Sequence, residues 1–137
     1  MDQDIAVVIA GDLSNFLPSS WELEEDIVTI HCSPDAEDIS KTVERLNNCN
    51  YILLLPATAQ GMQACTLLRK NNRRIPIVLV GESGDRETLL YSAQMGCLDF
   101  ISKEDDISLI KKRLQVYLKL YSLAKTLRAA EQKIKGP

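Results

Sequence analysis

The sequence predicts an α/β fold, a doubly wound sheet of five parallel strands between two layers of helices. Three observations predict it. Five short apolar segments alternate with segments of helical character along the 137 residues. The most apolar of them, residues 5–10 and 51–55, show no polar alternation, which is typical of strands covered by helices on both faces. The length fits one domain with a core of its own.

The strands are predicted at the apolar segments. The first is closed by Gly11, the third ends at Pro56, and the fourth runs into a loop that begins at Gly81. Glycine and proline at these points indicate turns rather than continued strands. In chain order, the five strands are expected at residues 5–10, 27–30, 51–55, 77–80 and 99–102.

The helices are predicted from apolar spacing and from end signals. Pro18 interrupts a weak helical pattern over residues 13–26, so any helix there is short or broken. A second helix is expected to begin around residues 33–35 and to end near residue 47, and a third to span residues 63–70. A fourth is stopped by Gly96, and the last extends from about residue 107 to residue 134.

The composition is that of an ordinary globular protein, with 45% hydrophobic and 26% charged residues. No apolar run approaches the length that spans a bilayer, and residues 1–4 lack the basic start of a signal peptide. We therefore expect a cytoplasmic protein.

The four cysteines (Cys32, Cys49, Cys65 and Cys97) lack the paired spacing of a zinc site, and the chain has one histidine. We expect reduced thiols, no metal and no cofactor.

The charge is unevenly divided. Residues 106–137 contain eight Lys and Arg against two acidic residues, a charge of +6, which leaves −9 for residues 1–105 because the total is −3. The division indicates two parts with different surroundings. The basic residues lie mainly off the apolar stripe and lack interleaved aromatic residues beyond Tyr117 and Tyr121, which favours a solvated face or an acidic partner over nucleic acid.

Common catalytic motifs are absent. Residues 81–84 read Gly-Glu-Ser-Gly, but a nucleophile elbow requires glycine where Asp85 stands. His31 and Cys32 are neighbours on a predicted strand and point to opposite faces, so they cannot form a catalytic pair. Neither a GxGxxG motif nor a P-loop is present. The sequence therefore predicts that the protein is not an enzyme.

The second half of the chain resembles the receiver domain of response regulators. The resemblance rests on residues 75–81, Ile-Pro-Ile-Val-Leu-Val-Gly, on residues 96–103, Gly-Cys-Leu-Asp-Phe-Ile-Ser-Lys, and on the spacing between them. Gly61-Met62 also lies at the family's distance after the third strand. The resemblance covers about residues 4–122. It implies a flavodoxin-like (CheY-like) three-layer sandwich, here with an extended C-terminal helix.

The resemblance also implies that the phosphorylation site is degenerate. In that family two acidic residues hold Mg²⁺, an aspartate accepts phosphate, and a hydroxyl and a lysine contact it. The matching positions here are Ala10 and Gly11 for the acidic pair, with Asp12 one residue late, then Pro56, Gly81 and Lys103. Only the lysine is retained. Because proline cannot form an acyl phosphate and Mg²⁺ requires oxygen ligands, we expect a pseudo-receiver without aspartyl phosphorylation.

Lys103 leaves two alternatives open. It could bind an anionic ligand or phosphate at the carboxyl edge of the sheet, or it could form an ion pair with Asp12 or Glu82. The ion pair is favoured, since it would stabilise a site that has lost its metal.

The last helix carries two apolar stripes. The first would pack on the sheet and comprises Ile107, Ile110, Leu114, Tyr117 and Tyr121. The second is rotated by one residue and comprises Leu120, Leu123, Leu127, Ala130 and Ile134. Because the turns beyond about residue 120 have no part of their own domain to cover, the second stripe is expected to meet another chain.

The predicted function is signal transduction through protein–protein contact. We expect a pseudo-receiver over residues 1–122 and a helical extension over 123–137 that leads to an output domain. A homodimer would form through the last helix, helped by the face that the family builds from its fourth helix, fifth strand and fifth helix, where Phe100 lies. The alternatives are a switch that binds a small anion or nucleotide near Lys103 and a small enzyme that uses the same edge.

Overall fold

The computed structural model of the chain describes residues 5–13, 27–46, 50–72, 74–82 and 85–135. The possible helix within residues 13–26 therefore lies almost wholly outside the described residues. In chain order, the elements are β1 (Ile5–Ala10), β2 (Ile27–Cys32), α1 (Ala36–Glu44), β3 (Asn50–Pro56), α2 (Ala59–Asn71), β4 (Ile77–Gly81), α3 (Arg86–Gln94), β5 (Asp99–Ser102) and α4 (Ile107–Lys135).

The five strands form one parallel sheet, as predicted. Its order is β2-β1-β3-β4-β5, and every neighbouring pair is parallel. This is the strand order of the flavodoxin-like fold. The chain reverses its direction of winding between β1 and β3, so the carboxyl ends of these two strands form the edge where such folds bind ligands.

Two apolar clusters cover the two faces of the sheet. Alternate residues of β3 supply both, with Leu53 and Leu55 in one cluster and Ile52 and Leu54 in the other. The first cluster packs under α1, α2 and the end of α3, and the second packs under α4. All residues of β3 are buried, which explains the absence of polar alternation in its sequence.

Helix ends follow local capping. α2 begins at Ala59, four residues before the predicted start, because Thr58 Oγ1 accepts a hydrogen bond from the Gly61 amide at 3.1 Å. α1 is capped by Asp35 and ends at Glu44, earlier than predicted. Gly96 has φ +66° and follows the end of α3, which confirms its predicted role as the helix stop.

α4 is one continuous helix from Ile107 to Lys135. Ile110 and Leu114 are buried against the sheet, as predicted, and Tyr117 packs beside them. Leu118 is also buried, although the predicted stripe does not include it, so the core-facing stripe of α4 continues to this residue. No helix of the part described here is long and apolar enough to cross a membrane.

Candidate functional site at the carboxyl edge of the sheet

The loop after β1 is a tight glycine turn. Ala10 is fully buried, and Gly11 has φ +89° while its amide donates to the Cys32 carbonyl at 2.8 Å. A Cβ at Gly11 would lie 3.2 Å from two ring carbons of Pro34. Both the backbone conformation and the neighbouring ring therefore favour glycine here. Asp12, the one acidic residue of this loop, is exposed.

Pro56 ends β3 without interrupting the sheet. The amides of Leu53 and Ala57 donate to Pro76 and Val80 on the β4 side, at 2.8 and 2.7 Å. Since alternate residues of a strand direct their amides to opposite neighbours, position 56 faces the β1 side, where the paired register already ends at Leu54. The proline therefore ends the hydrogen-bonded pairing of β3 with β1 at the last residue of the strand and does not break it in the middle.

The proline is packed from above by the first turn of α2. A Cβ at Gly61 would overlap the carbonyl oxygen of Pro56 and approach its ring. Glycine at position 61 thus allows the helix to lie directly on the end of β3. The position where the family has its phosphate acceptor is consequently buried and apolar.

Gly81, at the end of β4, is covered by an aromatic ring. A Cβ there would lie 2.9 Å from Phe100 Cζ and 3.1 Å from Ala57 Cβ. Phe100 is only 9% exposed and belongs to the first apolar cluster. The structure thus places Phe100 in the core rather than at the surface, so it is not an exposed contact residue. The space of the family's sensing hydroxyl is filled by its ring.

The loop after β5 is ordered by its own backbone and by Asp105. Ser102 Oγ donates to the Glu82 carbonyl at 3.1 Å, and the Lys103 amide donates to Gly81 at 2.8 Å. Lys103 is exposed, and within the described residues its ammonium group forms no ion pair. The expected pairing of Lys103 with Asp12 or Glu82 is therefore wrong.

The described residues of these loops offer no metal site. Among the residues that the structure describes, no group of three His, Cys, Asp or Glu side chains could hold a metal ion. The candidate positions Ala10, Gly11, Pro56 and Gly81 are buried or half-buried and carry no reactive group. The exposed charged residues of these loops, within the described part of the chain, include Asp12, Glu82, Lys103 and Glu104.

The sequence analysis missed a polar network that holds α4 on the sheet. Arg113 donates to Asp99 Oδ2 at 2.7 Å, to Asp105 Oδ2 at 3.0 Å and to the Phe100 carbonyl at 3.1 Å. The Tyr117 hydroxyl donates to Asp99 Oδ2 at 2.7 Å. Burial raises the pKa of Tyr117, and the hydrogen bond to Asp99 raises it further. The network ties the first turns of α4 to both ends of β5.

The second stripe of α4 is exposed where it is described. Leu120 and Leu127 are 55% and 57% exposed, and Ala130 is also exposed. The side chains of Leu123 and Ile134 lie outside the described residues. Leu109 and Val116, about half exposed, extend the same line toward the start of the helix.

The fold is similar to that of several solved structures. It is similar to NtrX from Brucella abortus in complex with ADP, with a TM-score of 0.70 and 15% identity over 99% of this chain and 31% of that one. This chain has the CheY-like receiver fold. The signal receiver domain of a putative LuxO repressor from Vibrio parahaemolyticus is also similar, with a TM-score of 0.67 and 13% identity over 91% and 97% of the two chains.

A CheY-like receiver domain from Methanospirillum hungatei gives a TM-score of 0.63 and 14% identity over 90% and 99% of the two chains. The predicted receiver fold is thus confirmed. No family model and no curated protein sequence matches the chain. The chain spans less than a third of the NtrX length, whereas it spans nearly all of the two receiver domains.

Proposed function

We propose that the chain is a two-component signalling domain that works without aspartyl phosphorylation and acts through protein–protein contact. The observation that carries this proposal is the packing of Pro56 beneath Gly61 and of Phe100 against Gly81. Phosphoryl transfer needs an acceptor, a metal site and room for the phosphoryl group. Here the acceptor position is a buried proline, and an aromatic ring fills the adjacent space.

The contact surface that we propose is the exposed apolar line of α4. Its described large members, Leu109, Val116, Leu120 and Leu127, follow spacings of seven, four and seven, which keep them within about 40° of one another around the helix. The core-facing residues, such as Ile110 and Leu114, lie about 130° away. One helix therefore presents separate apolar faces to its own sheet and to a partner.

We infer that the partner is a second copy of the chain, which pairs through a coiled coil of α4. The spacing is that of the a and d positions of a heptad repeat. Residues 123, 130 and 134 fall on further a and d positions of the same repeat. Because the seam is shorter than four heptads, the face of α3 and β5 would have to assist. Leu89 and Leu90 of α3 and Leu98 before β5 are about half exposed and supply apolar surface there.

The proposed organisation keeps a pseudo-receiver over residues 1–122 and a helical extension over residues 123–137. In this arrangement the extension would carry the state of the dimer to an output domain or signalling protein. A cytoplasmic location, without membrane or nucleic-acid contact, belongs to the same proposal.

Amide NMR spectra test the loss of phosphorylation. Adding Mg²⁺ with beryllofluoride or with a small phosphodonor should leave the signals around residues 10–12, 56–58 and 81–82 unchanged, while a phosphorylatable receiver domain run in parallel should respond. The Pro56→Asp variant should also fail to respond, because it restores the carboxylate but not the metal ligands. Saturable shifts in the wild-type protein would refute the proposal.

Sedimentation equilibrium tests the dimer. The wild-type chain should be a dimer that weakens strongly in the variant with Leu120→Asp and Leu127→Asp, and a truncation after residue 121 should be monomeric. Ser108→Asp adds a charge at an exposed position of α4 off the seam and should leave association unchanged. A wild-type chain that remains monomeric at all concentrations would contradict the dimer.

One observation favours a second function, the binding of a small anion or nucleotide at Lys103. Its ammonium group is exposed and, in the described part of the chain, unpaired. Thermal shift measurements with nucleotides and phosphate should then show a rise in Tm that Lys103→Gln abolishes. The Lys119→Gln variant, which changes an exposed lysine on α4, should keep the rise, and an equal loss of the rise in that variant would mean general screening of charge instead.

A further inference from the structure

Two thiols from distant parts of the chain lie in contact. Cys65 is buried in α2, and Cys97 is half-buried in the turn between α3 and β5. Their Sγ atoms are 4.0 Å apart. A disulfide bond is about 2.05 Å long, so the sulfurs must approach each other by about 2 Å. Rotation of either side chain about χ1 can supply a displacement of that size.

A buried cation lies beside this pair. Arg69, one turn after Cys65 in α2, is 4% exposed. Its guanidinium donates to the carbonyl oxygens of Met95 and Gly96, which precede Cys97 directly, and the latter contact measures 3.3 Å. Within the described residues Arg69 forms no ion pair with a carboxylate. A buried charge with only neutral partners favours an anion nearby, and a thiolate is the available one.

The surroundings of the pair favour ionisation of one thiol. The hydrogen bond with Cys97, together with the contact with Tyr91 and the charge of Arg69, outweighs burial and lowers the pKa of Cys65 to about 7. The same hydrogen bond and burial raise the pKa of Cys97. The two thiols therefore share one proton near neutral pH, and one of them is a nucleophile.

We propose that Cys65 and Cys97 form a reversible disulfide, with a low-molecular-weight disulfide such as oxidised glutathione as the co-substrate. The proposal does not depend on the proposed dimer. Cys97 reaches the surface and Cys65 does not, so Cys97 is the residue that meets the reagent.

The reaction takes two exchange steps. Cys97 passes its proton to Cys65, and the Cys97 thiolate attacks one sulfur of the reagent, so that one thiolate leaves and a mixed disulfide remains. Cys65 then loses its proton and attacks the Cys97 sulfur, and the second small thiolate leaves. One small thiolate takes up the proton that the pair shared, and the other takes a proton from water. In sum, the protein loses two electrons and that one proton, and one small disulfide is reduced to two thiols.

The bond would join α2 to the turn before β5 and close a loop of about 32 residues. Closing a loop of this length restricts the unfolded chain, so the oxidised protein should be the more stable form. Disulfide bonds in a reducing compartment are usually transient, so the Cys65–Cys97 bond is expected there to form and break with the redox state.

Mass spectrometry of the full chain tests the proposal. After incubation with oxidised glutathione, the intact mass should fall by about 2 Da, the mass of the two hydrogens lost with the disulfide bond. A non-reduced digest should contain the peptides of Cys65 and Cys97 linked, and a reducing thiol should reverse both changes. The Tm should rise by about 5 °C or more on oxidation.

Variants locate the bond. Cys97→Ser and Cys65→Ser should each abolish the loss of mass, whereas Cys32→Ser, which changes a free thiol on β2, should retain it. The digest of the wild-type protein shows which cysteines are linked even if a variant folds poorly. A linked peptide that contains another cysteine, a glutathione adduct that persists without internal linkage, or four thiols still reactive after incubation would each overturn the proposal.

Discussion

Substituting Gly81 by alanine tests whether the ring of Phe100 fills the edge of the sheet. The new Cβ would stand 2.9 Å from Phe100 Cζ, closer than Cβ atoms come in proteins, and 3.1 Å from Ala57 Cβ, while Phe100 Cε2 at 3.4 Å is in ordinary contact. Gly81 does not have a positive φ, so the backbone itself accepts alanine. Overpacking of this kind lowers the free energy of unfolding by about 1 to 3 kcal/mol. Replacing glycine also restricts the unfolded chain, which raises the free energy of unfolding by about 0.4 to 1 kcal/mol. We expect a net loss of stability of about 1 to 2 kcal/mol.

The Phe100→Leu background isolates the contact, because leucine lacks both ring atoms that would meet the new methyl group. In that background only the contact with Ala57 Cβ at 3.1 Å remains, so Gly81→Ala should cost about 1 kcal/mol less than in the wild-type protein, a coupling of about 1 kcal/mol between the two positions. Urea unfolding of the four proteins, followed by circular dichroism, measures it. Additive effects, with a coupling below about 0.5 kcal/mol, would refute the packing argument.

Three further predictions follow from packing and charge. Gly61→Ala should cost more than Gly81→Ala, at least about 3 kcal/mol in urea unfolding, because its Cβ meets a backbone oxygen that cannot rotate away. Arg113→Gln should cost about 2 kcal/mol, whereas Lys41→Ala, which breaks an exposed ion pair of α1, should cost under about 0.5 kcal/mol. Ultraviolet titration should show the Cys65 thiolate forming near pH 7, and, since its pKa is lowered on folding, the stability it contributes is lost as the pH falls through about 7.

The sheet could be predicted from sequence because each strand is marked by an apolar run within its own residues. Apolar runs, three of them closed by glycine or proline, gave all five strands with ends correct to within two residues. α2 was less predictable at its start. Its first turn holds Ala59, Gln60 and Gly61, which lack apolar spacing, and the signal that sets the boundary is the cap residue Thr58.

The contacts at the site could not be predicted because they join residues that are far apart in sequence. The burial of Phe100 depends on a glycine nineteen positions earlier, on the neighbouring strand. The Cys65–Cys97 contact spans 32 positions and exists only because α2 lies beside the turn before β5. Spacing rules detect neighbours on one element, whereas these pairs are set by strand order.

In the proposed pseudo-receiver, the glycines at this edge imply a site that is filled by packed neighbours as well as lacking its carboxylates. Each of them allows another group to approach, so that Pro34 packs on Gly11, the end of β3 on Gly61, and Phe100 on Gly81. A pocket that had lost only its carboxylates could regain function by replacing them one at a time. Here each replacement must first displace a packed neighbour, and in the interior that displacement itself costs stability. Under the proposed function, single reversions at this edge are therefore opposed by packing, and the protein acts through the exposed sides of α4 and α3.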